Sequence, residues 1–199
     1  MVASRRMSPS AAHLSARAQP VLALGDPRLR VSCDRVEDLK DPSFLAEIEA
    51  LQDTLEAFRA QYGFGRAIAA PQIGVPKRFI ALNLGAGPFV AVNPEITWRS
   101  TQTVSLWDDC MSFPSLMVKV ERSKSISVRY TNPKGEDVHW ERLALPHSEL
   151  LQHEIDHLDG VLAVDRAVGP QELVSREAFE ANRDEYSKLV DYVIQPTIE

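Results

Sequence analysis

Residues 152–160 read Gln-His-Glu-Ile-Asp-His-Leu-Asp-Gly. Two histidines four residues apart, with a glutamate after the first, have a specific chemical use. On a helix each residue advances about 100°, so His153 and His157 lie about 40° apart and one turn along the same face. Two imidazoles so placed reach one cation, and Glu154 stands beside its open side, where it handles protons rather than ligating. A catalytic centre of this kind takes a third protein ligand and keeps a position for water. Two residues compete for that place. Cys110, upstream, would bring a thiolate suited to a borderline metal; Glu177, downstream, lies on the next helical pattern. Spacing alone leaves both open. Asp156 points away from His157 and is expected to support the site rather than ligate.

The elements that must carry these residues are legible in the apolar pattern. Pro146 opens a helix that runs to about Leu158, with Leu150, Leu151, Ile155 and Leu158 as its apolar residues and Gly160 as its stop. A longer amphipathic helix follows Asp41, with Phe44, Leu45, Ile48, Leu51, Leu55 and Phe58 as its stripe, Asp41 as cap and Gly63 and Gly65 beyond its end. After Gly74 the pattern changes to short strands, at Arg78 to Leu84, Phe89 to Val92 and Thr103 to Trp107. Ile126, Val128 and Tyr130, the turn Asn132-Pro133-Lys134-Gly135, and Val138, Trp140 and Leu143 form a hairpin. A third helical pattern occupies about Gln171 to Val193. The expected class is α+β: antiparallel sheets around the central helix of the HExxH motif, with an N-terminal amphipathic helix and a C-terminal helix.

Composition narrows the function. Of 199 residues 44% are apolar and 25% charged, ordinary for a globular chain, and no apolar run is long enough to span a membrane. The net charge of −6 argues against general binding to nucleic acid, which needs a basic surface, while leaving room for a small basic patch that touches a ribosome. Two cysteines, Cys33 and Cys110, are no disulfide framework, which points to a reducing compartment and a cytoplasmic protein. Residues 1–19 carry Arg5, Arg6 and Arg17, four serines and no acid. They read as a disordered extension before one catalytic domain at 20–199; the alternative is an organellar transit peptide.

Three motifs in order carry a family resemblance. Residues 65–72 read GRAIAAPQ and are followed by Ile73-Gly74; residues 108–112 read DDCMS before Phe113-Pro114; residues 152–158 read QHEIDHL. These resemble the Gly-x-Gly-Leu-Ala-Ala-Pro-Gln, Glu-Gly-Cys-Leu-Ser and Gln-His-Glu-x-x-Asp-His-Leu motifs of peptide deformylases, and the early GDPRLR is similar to that family's N-terminal segment. The resemblance covers about Pro20 to Val164 and assigns the third ligand to Cys110 rather than Glu177. It implies one divalent metal, iron(II) in the family, with zinc, nickel and cobalt also suited to a thiolate and two imidazoles. It implies the N-formyl-methionyl end of a nascent protein as substrate, with Glu154 moving the proton and with the Gln72 side-chain amide and the Met111 backbone N–H donating to the oxyanion.

The substrate surface that the resemblance implies comprises Gly65, Arg66, Ala67, Leu106, Asp109, Glu149 and Leu150, and here the chain departs from the family. Ala67 replaces a glycine, keeping the N–H but restricting φ. Asp108 and Asp109 replace Glu-Gly, and Met111 replaces leucine. Arg66 and Glu149 put charge where apolar residues are usual. Such long side chains usually turn to solvent; turned inward, these two are close enough to pair as a charged wall of the first side-chain pocket. Two alternatives to a methionine-selective deformylase follow. One is an amidase for another N-acyl group or first residue. The other is a metal-holding scaffold that binds peptides or ribosomes, against which the intact Glu154 and Gln72 speak.

Overall fold

The computed structural model describes residues 17–169 and 171–195. The helix expected after Asp41 is α1, Pro42–Tyr62, capped by the Asp41 carboxylate on the Ser43 N–H and closed by Gly63 in the left-handed region. Its stripe is buried except for Leu45, which lies off the face and is exposed.

Five strands, β1 (Ala67–Ala69), β2 (Phe79–Asn83), β3 (Pro88–Arg99), β6 (Ile126–Thr131) and β7 (Asp137–Trp140), form one antiparallel sheet in the order β1-β2-β3-β6-β7. The expected hairpin is β6–β7. Helix α2, Leu145–Leu158, carries the HExxH segment. Side chains alternate across a strand, and both faces of this sheet are used. Ile80, Leu82, Ala91 and Val128 pack with Leu151, Ile155 and Leu158 of α2. Phe79, Ala81, Val90 and Val92 pack with Phe44, Leu51 and Leu55 of α1. A strand covered on both sides reads as a continuous apolar run, as Phe79–Leu82 does.

The second sheet has three strands, β4 (Thr103–Asp109), β5 (Leu116–Ser123) and β8 (Leu173–Ser175), in the order β4-β5-β8. Gln152 ties α2 to it: its amide nitrogen donates to the Ser123 carbonyl at 2.9 Å and its oxygen accepts from the Ser123 N–H at 2.9 Å. The end of α2 is fixed by Gly160, whose φ is 72° and at which a Cβ would lie 2.6 Å from the Arg30 carbonyl oxygen. Only glycine meets both conditions.

The C-terminal expectation needs correction. Gln171 to Val193 is not one helix: β8 pairs with β5, and two short helices follow, α3 (Arg176–Ala181) and α4 (Arg183–Ser187). The open edge of β5 offers Leu173–Ser175 strand partners, which override the local helical pattern. Ser175 then caps α3 through the Ala178 N–H, and Asn182 breaks the helix by donating its side-chain amide to the Ala178 carbonyl. Of the 1–19 extension, residues 1–16 lie outside the described residues. Arg17 and Gln19 are held on α1, Arg17 by Asp53 at 2.8 Å and the Gln19 N–H by Thr54 Oγ1 at 2.8 Å.

Candidate active site

Helix α2 brings His153 and His157 onto one face, with ring centroids 4.9 Å apart. Cys110 meets them from the turn after β4. Its Sγ lies 3.3 Å from His157 Nε2, which lies 3.2 Å from His153 Nε2. Bonds of about 2.0–2.3 Å on a tetrahedron separate ligand atoms by about 3.3–3.8 Å, so the spacing fits one cation, and the thiol and two imidazoles fit a borderline metal. Among the described residues these three form the one such cluster of possible ligands. Glu177 sits exposed on α3 and is not part of it.

Of the residues behind this cluster, the sequence indicates Asp156 as a support and Asp108 only as a departure from the family motif, and it does not indicate Arg122 or Arg166. Asp108 is 3% exposed and accepts at one oxygen from His153 Nδ1 and from Arg122 Nη2, each at 2.9 Å. Burial opposes its ionisation, but His153 and Arg122 outweigh burial and hold the carboxyl below its ordinary value. Burial likewise disfavours charge on His153, yet Asp108 raises its pKa well above normal, whereas burial takes His157 well below. Arg122 continues to Asp156, which also receives two bonds of 2.6 Å from Arg166. Asp156 is therefore a support, as its direction on the helix implied. One signal for Asp108 was available. Positions 108 and 110 share a strand face by alternation, so an acid there must sit beside Cys110.

Glu154 is 3% exposed, and its Oε2 is buried with no hydrogen-bond partner among the described residues. Burial pushes its pKa up to about 7. Gln72 is anchored by the Ala69 N–H on its Oε1 at 2.9 Å, which aims its Nε2 at Ser112 Oγ (3.2 Å) and Cys110 Sγ (3.6 Å). The Met111 backbone N–H donates to no other backbone group among the described residues.

These groups border a cleft of about 520 Å³ that also meets Gly65, Arg66, Ala67, Asp109, Glu149 and Leu150. Gly65 has φ 117°, a value that suits glycine. Ala67 is not among the residues with positive φ, so the change from glycine costs no strain there. Asp109 turns its carboxylate to Arg176 at 2.7 Å. Leu106 does not line the cleft. It is fully buried with Leu29, Val118 and Val120 in the core that also holds Cys110. Arg66 and Glu149 do turn inward and pair at 2.6 Å, with side chains 10% and 2% exposed. Arg66 also donates to the Pro146 carbonyl at 3.0 Å. Burial lifts the Glu149 carboxyl to about 7 although Arg66 pulls the other way. The far side of the cleft belongs to the C-terminal segment, including Arg176 and Tyr192, which no sequence pattern indicated.

A profile of the polypeptide deformylase family matches residues 18–172. The chain belongs to the peptide deformylase family. It is 38% identical over 157 residues to the peptide deformylase of Thermotoga neapolitana, covering 79% of this chain and 92% of that one. The structure of a Synechococcus elongatus peptide deformylase in complex with actinonin aligns with a TM-score of 0.72 and 27% identity over 92% of each chain. A class I type b enzyme of Acinetobacter baumannii, bound to Met-Ala-Ser, aligns with a TM-score of 0.67 and 28% identity over 75% of this chain and 98% of that one. As a peptide deformylase, the protein is an enzyme that removes the formyl group from nascent peptides, and its mixed architecture of helices and antiparallel sheets is that of the solved relatives. None of its described helices is long and apolar enough to cross a membrane.

Proposed function

We propose that Cys110, His153 and His157 hold one divalent metal, iron(II) in the working enzyme, and that Glu154 is the proton carrier of deformylation. The observation that carries this reading is the convergence of three donor atoms beside the buried Glu154, whose Oε2 has no hydrogen-bond partner among the described residues, at the cleft. A metal held there supplies Lewis acidity and hydroxide near neutral pH. The oxygen of water adds to the formyl carbon as Glu154 takes its proton. The Gln72 amide and the Met111 N–H donate to the oxyanion that develops. Glu154 then passes the proton to the amine as the C–N bond breaks, leaving formate and a free N-terminus. The test is release of formate from formyl-Met-Ala-Ser, against acetate from the acetylated peptide, by iron-loaded protein kept from oxygen. Acetate released as fast as formate would replace this reading with a general N-acyl amidase.

Asp108 is assigned as a positioning residue that fixes the His153 ring and its tautomer. Asp108→Asn should weaken metal affinity about 10–100-fold, the usual scale for groups behind a ligand, measured by competition with a chromophoric chelator. Unchanged affinity would reduce Asp108 to a structural anion.

The Arg66–Glu149 pair is the observation that favours a wider choice of first residue. A buried pair beside the reacting centre gives the first side-chain pocket a charged wall, which suits a polar or small residue better than an apolar wall would. Across formyl-Xaa-Ala-Ser peptides, methionine should lead by less than ~100-fold in kcat/KM; a larger lead is what a well-fitted apolar pocket achieves and would set the idea aside.

A further inference from the structure

Strand β4 has two edges with different partners. One pairs with β5 along its whole length. On the other, the Ser105 N–H donates to Asp191 Oδ2 at 2.8 Å, and the Ser105 carbonyl accepts from the N–H groups of Asp191 and Tyr192 at 3.1 Å each. Ser105 Oγ adds a bond to the same carboxylate at 2.7 Å. Tyr192 lies beside Leu106 in a parallel bridge, and Tyr192 and Ile194 pack on the core that contains Leu106 and Val120.

Backbone groups of alternate residues face the same edge of a strand. The edge that Ser105 presents to the C-terminal segment is therefore the one that Trp107 and Asp109 present to the cleft. The opposite strand agrees: Lys119, paired with Trp107, turns its N–H outward to the Glu172 carbonyl. Among the described residues no backbone group occupies the edge at Trp107 and Asp109, and both residues line the cleft.

We propose that the C-terminal segment Asp191–Gln195 is a stop that sets how much of a peptide substrate the enzyme reads. An extended formylated peptide whose first residue lies beside Cys110 runs back along β4, facing Asp109, Asp108 and Trp107 in turn. It then meets an edge already taken by Asp191 and Tyr192. Three residues thus fit along the free edge, with main-chain groups of Asp109 and Trp107 open to bond them, and the fourth must leave for solvent. A stop at this place would let the enzyme accept growing chains whatever their length or later sequence. The inference rests on the reading that the substrate adds to the β4 edge from Cys110.

The experiment compares kcat/KM for formyl-Met-Ala, formyl-Met-Ala-Ser and formyl-Met-Ala-Ser-Ala-Ser on the full metal-loaded chain, on Asp191→Ala, and on a chain ended after Val190. For the full chain the value should rise from two residues to three and then stay within 2-fold. In both variants the five-residue peptide should gain about 10-fold over the three-residue one, the scale of one or two main-chain hydrogen bonds, through KM with kcat unchanged. Asp191→Ala keeps the test sound if the shortened chain folds poorly. A flat ratio in Asp191→Ala, or a full chain that already gains from three residues to five, overturns the stop and leaves the Cys110 site standing. A two-residue peptide as good as the longer ones in every protein would instead overturn the β4-edge reading beneath it.

Discussion

Glu154→Gln is expected to keep its metal and to lose at least ~100-fold in kcat, the lower end of what a positioned acid–base group contributes. Glutamine has the shape of glutamate, so the buried volume on α2 is preserved. It removes the function proposed for this position, a carboxylate that accepts a proton and returns it. Burial pushes the Glu154 pKa up to about 7, and a base poised near neutrality works in both directions. The variant loses none of the proposed ligands, whose donor atoms belong to Cys110, His153 and His157. Metal content by atomic emission and single-turnover formate release, measured on one preparation, separate the two effects. Near-normal turnover at full metal content would move the proton to another group.

Cys110→Ala is expected to lose most of its metal, whereas Glu177→Ala should bind as the parent does. The thiol is one of three donors within 4.8 Å of one another, and Glu177 is outside that group. Two imidazoles alone leave two positions of a tetrahedral ion to water. Cys110 is buried, so the smaller side chain also leaves a small void; thermal unfolding in excess chelator gives that loss separately. Full metal retention in Cys110→Ala would overturn the proposed ligand set.

The parts of this molecule legible in its sequence are those where local pattern and local geometry coincide. Helix α1 was readable because its stripe and both caps lie within one continuous segment. The pairing of His153 with His157 was readable because helical pitch alone places them together. The β6–β7 hairpin was marked by its own turn. Residues whose partners are distant were harder. The roles of Asp108 and Arg122 arise where β4, β5 and α2 meet, so no window of sequence contains them. Leu106 shares a strand face with Asp108 and Cys110, but it lies further back along β4 and packs into the core with Leu29, Val118 and Val120 instead of meeting the cleft. The C-terminal pattern was misread for the same reason: a strand edge elsewhere in the fold decided its conformation. The inward turn of Arg66 and Glu149 was conceivable from helix geometry, but only the distance between β1 and α2 selects it over solvent.

The Asp108–His153 and Arg122–Asp156 bonds join the three-stranded sheet to α2, which in turn packs on the five-stranded sheet. Cys110 and the two histidines straddle that same junction. An ion held by all three would therefore also be a clasp between the two sheets. A metal that binds only the closed form shifts the equilibrium toward it by mass action, by about 2.7 kcal/mol at a hundred times its dissociation constant. Supply of the ion would then bear on how long the enzyme stays folded as well as on how fast it works, since the seam that holds the active site is the one the ion would close.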